Sequence, residues 1–134
     1  MRTLVAALAL AGCAAHPPAG AVPKLTGTAW RLVDLSGAPA LSEPAATISF
    51  LEGGRVAGRG SCNQYSGSAA VSGDSITMGP LASTKMACPE PIMGQEQRFL
   101  EALGNATRYA IDGSTLSIWV KGNDKPLRFT REAP

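Results

Sequence analysis

Three cysteines, Cys13, Cys62 and Cys88, are the side chains of this 134-residue chain best suited to covalent chemistry. Cys88 comes just before a predicted helix, and a helix N-terminus stabilises a thiolate, so Cys88 could act as a nucleophile. Alternatively, Cys62 and Cys88 could form a disulfide, as expected in a small exported domain, or remain two free buried thiols. We predict the disulfide, because Cys13 lies at a predicted lipidation site and an even pair of cysteines then remains.

The other groups that catalysis requires are missing or dispersed. His16 is the only histidine, and it lies in a proline-rich stretch outside the predicted domain. No Ser–His–Asp or Cys–His arrangement can therefore form inside that domain, and a four-ligand zinc site would need carboxylates. No glycine-rich phosphate-binding pattern is present, and nothing marks two of the ten acidic residues as an acid–base pair. We therefore predict no enzymatic activity, no metal and no cofactor.

The charge of the chain gives no sign of a nucleic-acid partner. Twelve basic and ten acidic residues give a formal net charge of +2. Without Arg2, which belongs to a predicted targeting segment, eleven basic residues remain against ten acidic ones, a net charge of about +1. The basic residues are scattered along the chain and no basic run contains interleaved aromatic residues, so we predict that the protein does not bind nucleic acid.

The first 24 residues are predicted to target and anchor the protein. Residues 1–12 combine Arg2 with a short apolar stretch that cannot span a bilayer, and Leu10-Ala11-Gly12-Cys13 matches the cleavage box of bacterial lipoproteins. We predict that Cys13 becomes the lipidated first residue, which makes the membrane a partner. Residues 13–24 form a tether that is rich in proline and small residues. The alternative is an ordinary secretory signal with an incidental cysteine.

The rest of the chain predicts one α+β domain over residues 25–131. Alternating apolar residues indicate short strands near 28–32, 47–51, 55–58, 68–71, 75–78, 107–111, 116–120 and 127–130. The alternation changes phase at Val33, which suggests a bulge or a strong twist. Residues 91–103 have the period of a helix, with Phe99 and Leu100 buried and Gln95 facing outward. We predict an antiparallel, barrel-like β-sheet packed against this one main helix.

Two irregular stretches, residues 58–67 and 83–89, contain the two domain cysteines. Their glycine, asparagine and proline residues suit tight turns. Lys85 and Glu96 flank them and could form a surface ion pair of little energetic value. Four aromatic residues could line a ligand cavity, although such residues more often form the core; they are Trp30, Tyr65, Trp119 and Phe129.

In these stretches the chain resembles the META/HslJ family of bacterial envelope proteins over about residues 25–130. Ser61 departs from the pattern, because the family usually has glycine beside the cysteine. The residues that carry the resemblance include Trp30, Gly60, Cys62, Asn63, Tyr65, Gly67, Thr84, Met86, Cys88, Pro89 and Glu96. The resemblance implies the barrel-like fold and a location in the bacterial cell envelope. Because Ala14 is not acidic, it also implies sorting to the outer membrane, facing the periplasm.

Three functions are compatible with these observations. The first is a non-catalytic envelope lipoprotein, a stress-related accessory or binding module with an unknown envelope partner. The second is a carrier for a lipid tail or apolar peptide, similar in architecture to secretion pilot lipoproteins, an argument at the level of fold alone. The third is a thiol enzyme that uses Cys88. We rank them in that order.

Overall fold

The computed structural model describes residues 24–133. The predicted signal segment, the predicted lipidation site Cys13 and all of the predicted tether except Lys24 lie outside the described residues.

Ten strands and one α-helix make up the described chain, and a short 3₁₀ turn covers Glu52–Gly54. The helix, α1, covers Ile92–Gly104. The strands are β1 (Thr28–Leu35), β2 (Ala38–Pro39), β3 (Thr47–Phe50), β4 (Arg55–Arg59), β5 (Gln64–Ser72), β6 (Ser75–Met78), β7 (Ala82–Ser83), β8 (Ala106–Asp112), β9 (Thr115–Val120) and β10 (Leu127–Glu132).

Eight of the strands close into an antiparallel barrel in the order β1-β3-β4-β5-β6-β8-β9-β10, with β10 pairing back onto β1. The short strands β2 and β7 add to β1 and β5, respectively. The pairing between β6 and β8 is short, because Ser75 and Arg108 are the only residues paired between these two strands. The helix precedes β8 in the chain and packs on the barrel at β6. The predicted α+β barrel with one main helix is confirmed.

Strand β1 explains the phase change seen in its sequence. The register against β10 shifts between Leu32 and Asp34, so Val33 forms a bulge and is 46% exposed, whereas Leu32 is buried. A bulge adds one residue to one strand and bends it, which suits a strand that closes a barrel. Of the two predicted alternatives, a bulge or a strong twist, the bulge is therefore confirmed.

Large apolar side chains fill the barrel. Trp30, Phe99 and Phe129 are fully buried, and the Trp30 indole N–H donates to the Thr28 hydroxyl at 2.7 Å. Tyr65 is also buried, and its ring meets that of Phe99 edge-on with the centroids 5.9 Å apart. Three of the four candidate cavity residues thus belong to the core. The fourth, Trp119, is half-buried on β9 beneath the Arg108 guanidinium, 4.1 Å from its ring centroid.

The helix forms as predicted, but its buried face differs in two respects. Phe99 and Leu103 are fully buried, whereas Leu100 lies at the margin of the core and is only half-buried. Gln95, predicted to face outward, is buried, as is Glu96. The reason is that the buried face is centred on Phe99, and the positions three and four residues before it lie on the same side.

Replacing Leu100 with alanine is therefore expected to lower the free energy of unfolding by only about 1 kcal/mol, below the roughly 2–5 kcal/mol typical of fully buried leucines. Leu103→Ala, in the same helix, is the matched comparison and should cost clearly more. Urea denaturation of both variants measures the difference. An equal loss in the two variants would contradict the burial assigned to Leu100.

Candidate functional site

The turn between β4 and β5 brings the helix and the first irregular stretch together. The Gly60 N–H donates to the Asn63 carbonyl at 2.8 Å, which closes the turn, and Ser61 has a φ of 99°. That φ favours glycine, which explains why serine is unusual here. Gly60 is required for close packing, because a Cβ there would lie 2.8 Å from the Glu96 Cγ.

Glu96 projects from α1 into this turn. Its carboxylate accepts hydrogen bonds from the Cys62 N–H at 3.1 Å, from the Asn63 N–H, and from the Asn63 side-chain amide at 2.7 Å. Glu96 is 4% exposed. The predicted surface pairing of Glu96 with Lys85 is therefore wrong. A carboxylate buried this deeply needs several donors, and two main-chain groups and one side chain supply them.

Gln95 makes a second connection between the helix and the loops. Its side-chain amide donates to the Ser61 hydroxyl at 2.7 Å, and its carbonyl oxygen accepts from the Leu41 N–H at 2.7 Å. These bonds offset the cost of burying a polar side chain. Gln95 and Glu96 together attach the start of the helix to two separate loops.

Asn63 connects the turn to the second irregular stretch. Its side-chain oxygen accepts from the Met86 N–H at 2.7 Å, and its side-chain nitrogen donates to the Met86 carbonyl at 3.1 Å. The Thr84 hydroxyl also donates to the Asn63 side-chain oxygen, at 2.9 Å. The Asn63 amide thus pairs with Met86 as a neighbouring main-chain residue would in a β-ladder.

Cys62 and Cys88 are joined by a disulfide, with their Cα atoms 6.0 Å apart. The prediction of the bridge is confirmed, and neither sulfur is a free thiol in this structure. Cys62 is buried and Cys88 is half-buried. The bridge and the Asn63 side chain therefore attach the same two stretches to each other.

Other motif residues support the barrel wall. The Tyr65 hydroxyl donates to the Thr47 carbonyl at 2.6 Å, and burial raises the pKa of this phenol far above its usual value. Gly67 lies in β5 rather than in a turn, and a Cβ there would lie 2.7 Å from the Leu81 Cδ2. Pro89, exposed, accepts the Ile92 N–H with its carbonyl at 3.0 Å, at the start of the helix.

Charged side chains form few clusters on the remaining surface of the described chain. Within residues 24–133, the single ion pair joins Arg31 and Glu132 at 3.1 Å, and no group of three His, Cys, Asp or Glu side chains lies close enough to hold a metal ion. None of the helices in this range combines the length and apolar character needed to cross a membrane. A surface depression of about 410 Å³ lies on the outside of the barrel beside Gln64 and Thr84.

Comparison with known proteins assigns the fold to a family. The family model of the META domain matches residues 23–134. An NMR structure of a protein from Burkholderia xenovorans is 23% identical, covers 89% of this chain and 98% of its own, and has a TM-score of 0.68. A second NMR structure is 24% identical over 77% of this chain and 87% of its own, with a TM-score of 0.62.

A more distant structural relative is a DUF4847 family protein from Bacteroides vulgatus, with 21% identity, a TM-score of 0.53, and coverage of 66% of this chain and 60% of its own. No curated protein matches the chain. At these levels of identity, the similarity to the three structures shows a shared fold alone.

Proposed function

We propose that this chain, which belongs to the META domain family, is a non-catalytic binding module of the bacterial cell envelope, held to a membrane by lipid on Cys13. The observation that carries the proposal is that the polar side chains of the motif bond to one another and to the main chain. Glu96, Asn63 and Gln95 each make two or more such bonds. A catalytic residue has to touch its substrate, whereas these groups fix loops in place.

The disulfide supports the same interpretation. A thiol enzyme at Cys88 requires a free thiolate, and the Cys88 sulfur is bonded to Cys62. The bridge and the hydrogen bonds around it give a rigid barrel with two fixed loops. A rigid surface is well suited to binding, because little conformational freedom is lost when a partner docks.

The lipid anchor is proposed from the sequence. Leu10-Ala11-Gly12-Cys13 supplies the cleavage box, and the stretch up to Pro23 would separate the domain from the bilayer. We place the protein at the outer membrane, facing the periplasm, with an envelope protein or an apolar ligand as its partner. A stress-related accessory role is what the family resemblance implies.

Substituting Cys13 with serine is expected to abolish incorporation of labelled palmitate and to move the protein from the membrane fraction to the soluble fraction, or to leave it unprocessed. Several acyl chains bind a membrane stably, whereas none remain in this variant. His16→Ala in the predicted tether is the matched control and should fractionate as wild type does. Unchanged labelling, size and fractionation of Cys13→Ser would contradict the anchor.

A carrier for a lipid tail or an apolar peptide is the second candidate. The observation that favours it is a mostly apolar depression of about 340 Å³ beside Thr28, Phe50 and Leu51. The barrel interior itself is filled by Trp30, Phe129 and their neighbours, so a ligand would lie on the surface. Native mass spectrometry of the purified protein decides between the two, because a carrier should retain bound lipid.

A further inference from the structure

Among the described residues, strand β7 has no partner strand on its outer side. Within residues 24–133 it pairs with β5 alone, through Tyr65–Ser83 and Ser66–Ala82, whereas each barrel strand has a neighbour on both sides. In an antiparallel pair, the main-chain groups of alternate residues point toward the partner and those between them point away. One side of β7 therefore presents N–H and C=O groups that no other described strand pairs with.

The hydrogen bonds show which groups point outward. The Thr84 N–H donates to the Gln64 carbonyl at 3.0 Å, and the Met86 N–H and carbonyl pair with the Asn63 side chain. These inward bonds alternate along the chain, so the main-chain groups of Ser83 and Lys85 face away from β5. We call residues Ala82–Met86 the edge segment.

The edge segment is held in place before any partner arrives, since Ala82–Ser83 is strand and the inward bonds of Thr84 and Met86 continue its alternation. The β5 ladder, the Asn63 amide and the Cys62–Cys88 bridge fix it along its inner side and just beyond its end. An exposed edge of this kind can pair with an extended peptide, which gains main-chain hydrogen bonds while only the peptide becomes ordered. Ala82 and Thr84 are small and exposed, which leaves room for larger side chains of a partner.

The charge of the edge segment favours an acidic partner. Lys85 lies within the segment and is exposed. Among residues 24–133, it has no carboxylate within ion-pair distance. Antiparallel pairing of two copies in a register centred on Thr84 or Lys85 would place the two Lys85 side chains diagonal to or opposite each other, and like charges across strands are destabilising.

We propose that the edge segment accepts an extended, acidic segment of another protein as an added β-strand. The proposal rests on the proposed function as a binding module and names its partner class. Main-chain hydrogen bonds from Ser83 and Lys85 supply the pairing, and Lys85 selects for carboxylates on the partner.

The test uses the full-length oxidised chain carrying Cys13→Ser and a fluorescent peptide of alternating valine and threonine with three glutamates. The same peptide with lysine at the three glutamate positions is the control. Anisotropy should give a Kd about tenfold lower for the glutamate peptide. Binding should also slow hydrogen exchange at the amides of Ser83 and Lys85. Equal binding of both peptides, or unchanged exchange at these amides, would overturn the proposal.

Two variants locate the binding. Ser83→Pro removes an outward N–H without removing a bond to β5, and should raise the Kd for the glutamate peptide about tenfold, while Ser83→Ala should leave it unchanged. Lys85→Glu changes an exposed residue and should make the lysine peptide the better ligand. Wild-type affinity in both Ser83→Pro and Lys85→Glu would refute the site. Concentration-dependent dimerisation that Ser83→Pro abolishes would instead assign the edge to a second copy and refute the acidic partner.

The result of the peptide-binding test can be told apart from the result of the lipid-anchor test. Peptide binding is measured on a chain without lipid, whereas the anchor is tested by labelling and fractionation. Palmitate labelling of wild type, combined with no binding of the glutamate peptide by the Cys13→Ser chain, would refute the edge site and leave the anchor unaffected.

Discussion

Replacing Glu96 with alanine is expected to lower the free energy of unfolding by about 3–5 kcal/mol. The carboxylate is buried and accepts hydrogen bonds from the Cys62 N–H, the Asn63 N–H and the Asn63 side-chain amide. Removing it leaves three donors in a buried turn without an acceptor. The cost of taking each donor out of water is then no longer offset by a hydrogen bond. Urea denaturation with linear extrapolation measures the loss.

Two further variants show whether the loss comes from these donors. Glu101→Ala changes an exposed glutamate in the same helix and should stay within about 0.5 kcal/mol of wild type. Glu96→Gln keeps one oxygen for the main-chain donors but turns an NH₂ group toward the Asn63 amide. Its free energy of unfolding should therefore lie between those of wild type and Glu96→Ala. A loss below about 1 kcal/mol in Glu96→Ala would show that water satisfies the turn equally well.

The barrel strands could be predicted from the sequence because each buries one face. Alternation at Thr28, Trp30 and Leu32 predicted β1, and the phase change at Val33 predicted its bulge. Phe99 and Leu103 are four residues apart and located the buried face of the helix. These signals are local, so one sequence is enough to detect them.

The burial of Glu96 and Gln95 was missed because polar residues are assigned by default to the solvent side of a helix. A signal was present, since Glu96 lies three residues before Phe99 and seven before Leu103, on the same face. Burial there depends on hydrogen bonds to residues 33 and 34 positions away in the sequence. Such compensation is a product of the tertiary fold, and local patterning does not contain it.

The edge segment was missed for a different reason. Strand β7 has only two residues, too few for an alternation to be visible, and the Asn63 side chain continues its pairing in place of a main-chain residue. The stretch from Gln64 to Gly67, predicted as part of a tight turn, is strand. Its glycine suggested a turn, but Gly67 is needed for the close approach of Leu81.

Removing the disulfide by Cys62→Ala with Cys88→Ala is expected to lower the free energy of unfolding by about 3–4 kcal/mol. The cysteines are 26 positions apart, and the bridge restricts the unfolded chain over that length. Small domains have a total stability of about 5–15 kcal/mol, so the loss is a large part of it. Denaturation of the double variant and of wild type, each with and without reductant, measures the effect.

The controls separate the bridge from the side chains themselves. Reductant should destabilise wild type and leave the double variant unaffected. Alkylation of the native protein without reductant, followed by peptide mapping, should label neither Cys62 nor Cys88. Alkylation of both would show that the bridge is absent from the mature protein, and rapid alkylation of Cys88 alone near neutral pH would restore the thiol-enzyme hypothesis.

The Asn63 side chain and the bridge hold the same two stretches together. The losses in free energy of unfolding on removing each of them should therefore not be additive. With the bridge present, Asn63→Ala keeps Met86 in place but leaves its N–H without the Asn63 acceptor. Without the bridge, the same substitution lets the stretch around Met86 detach and hydrate. The triple variant should therefore lose about 1 kcal/mol less than the sum of the separate losses, and the Met86 amide should exchange faster in it than in either parent. Additivity within about 0.3 kcal/mol would mean that each connection holds the edge segment independently of the other.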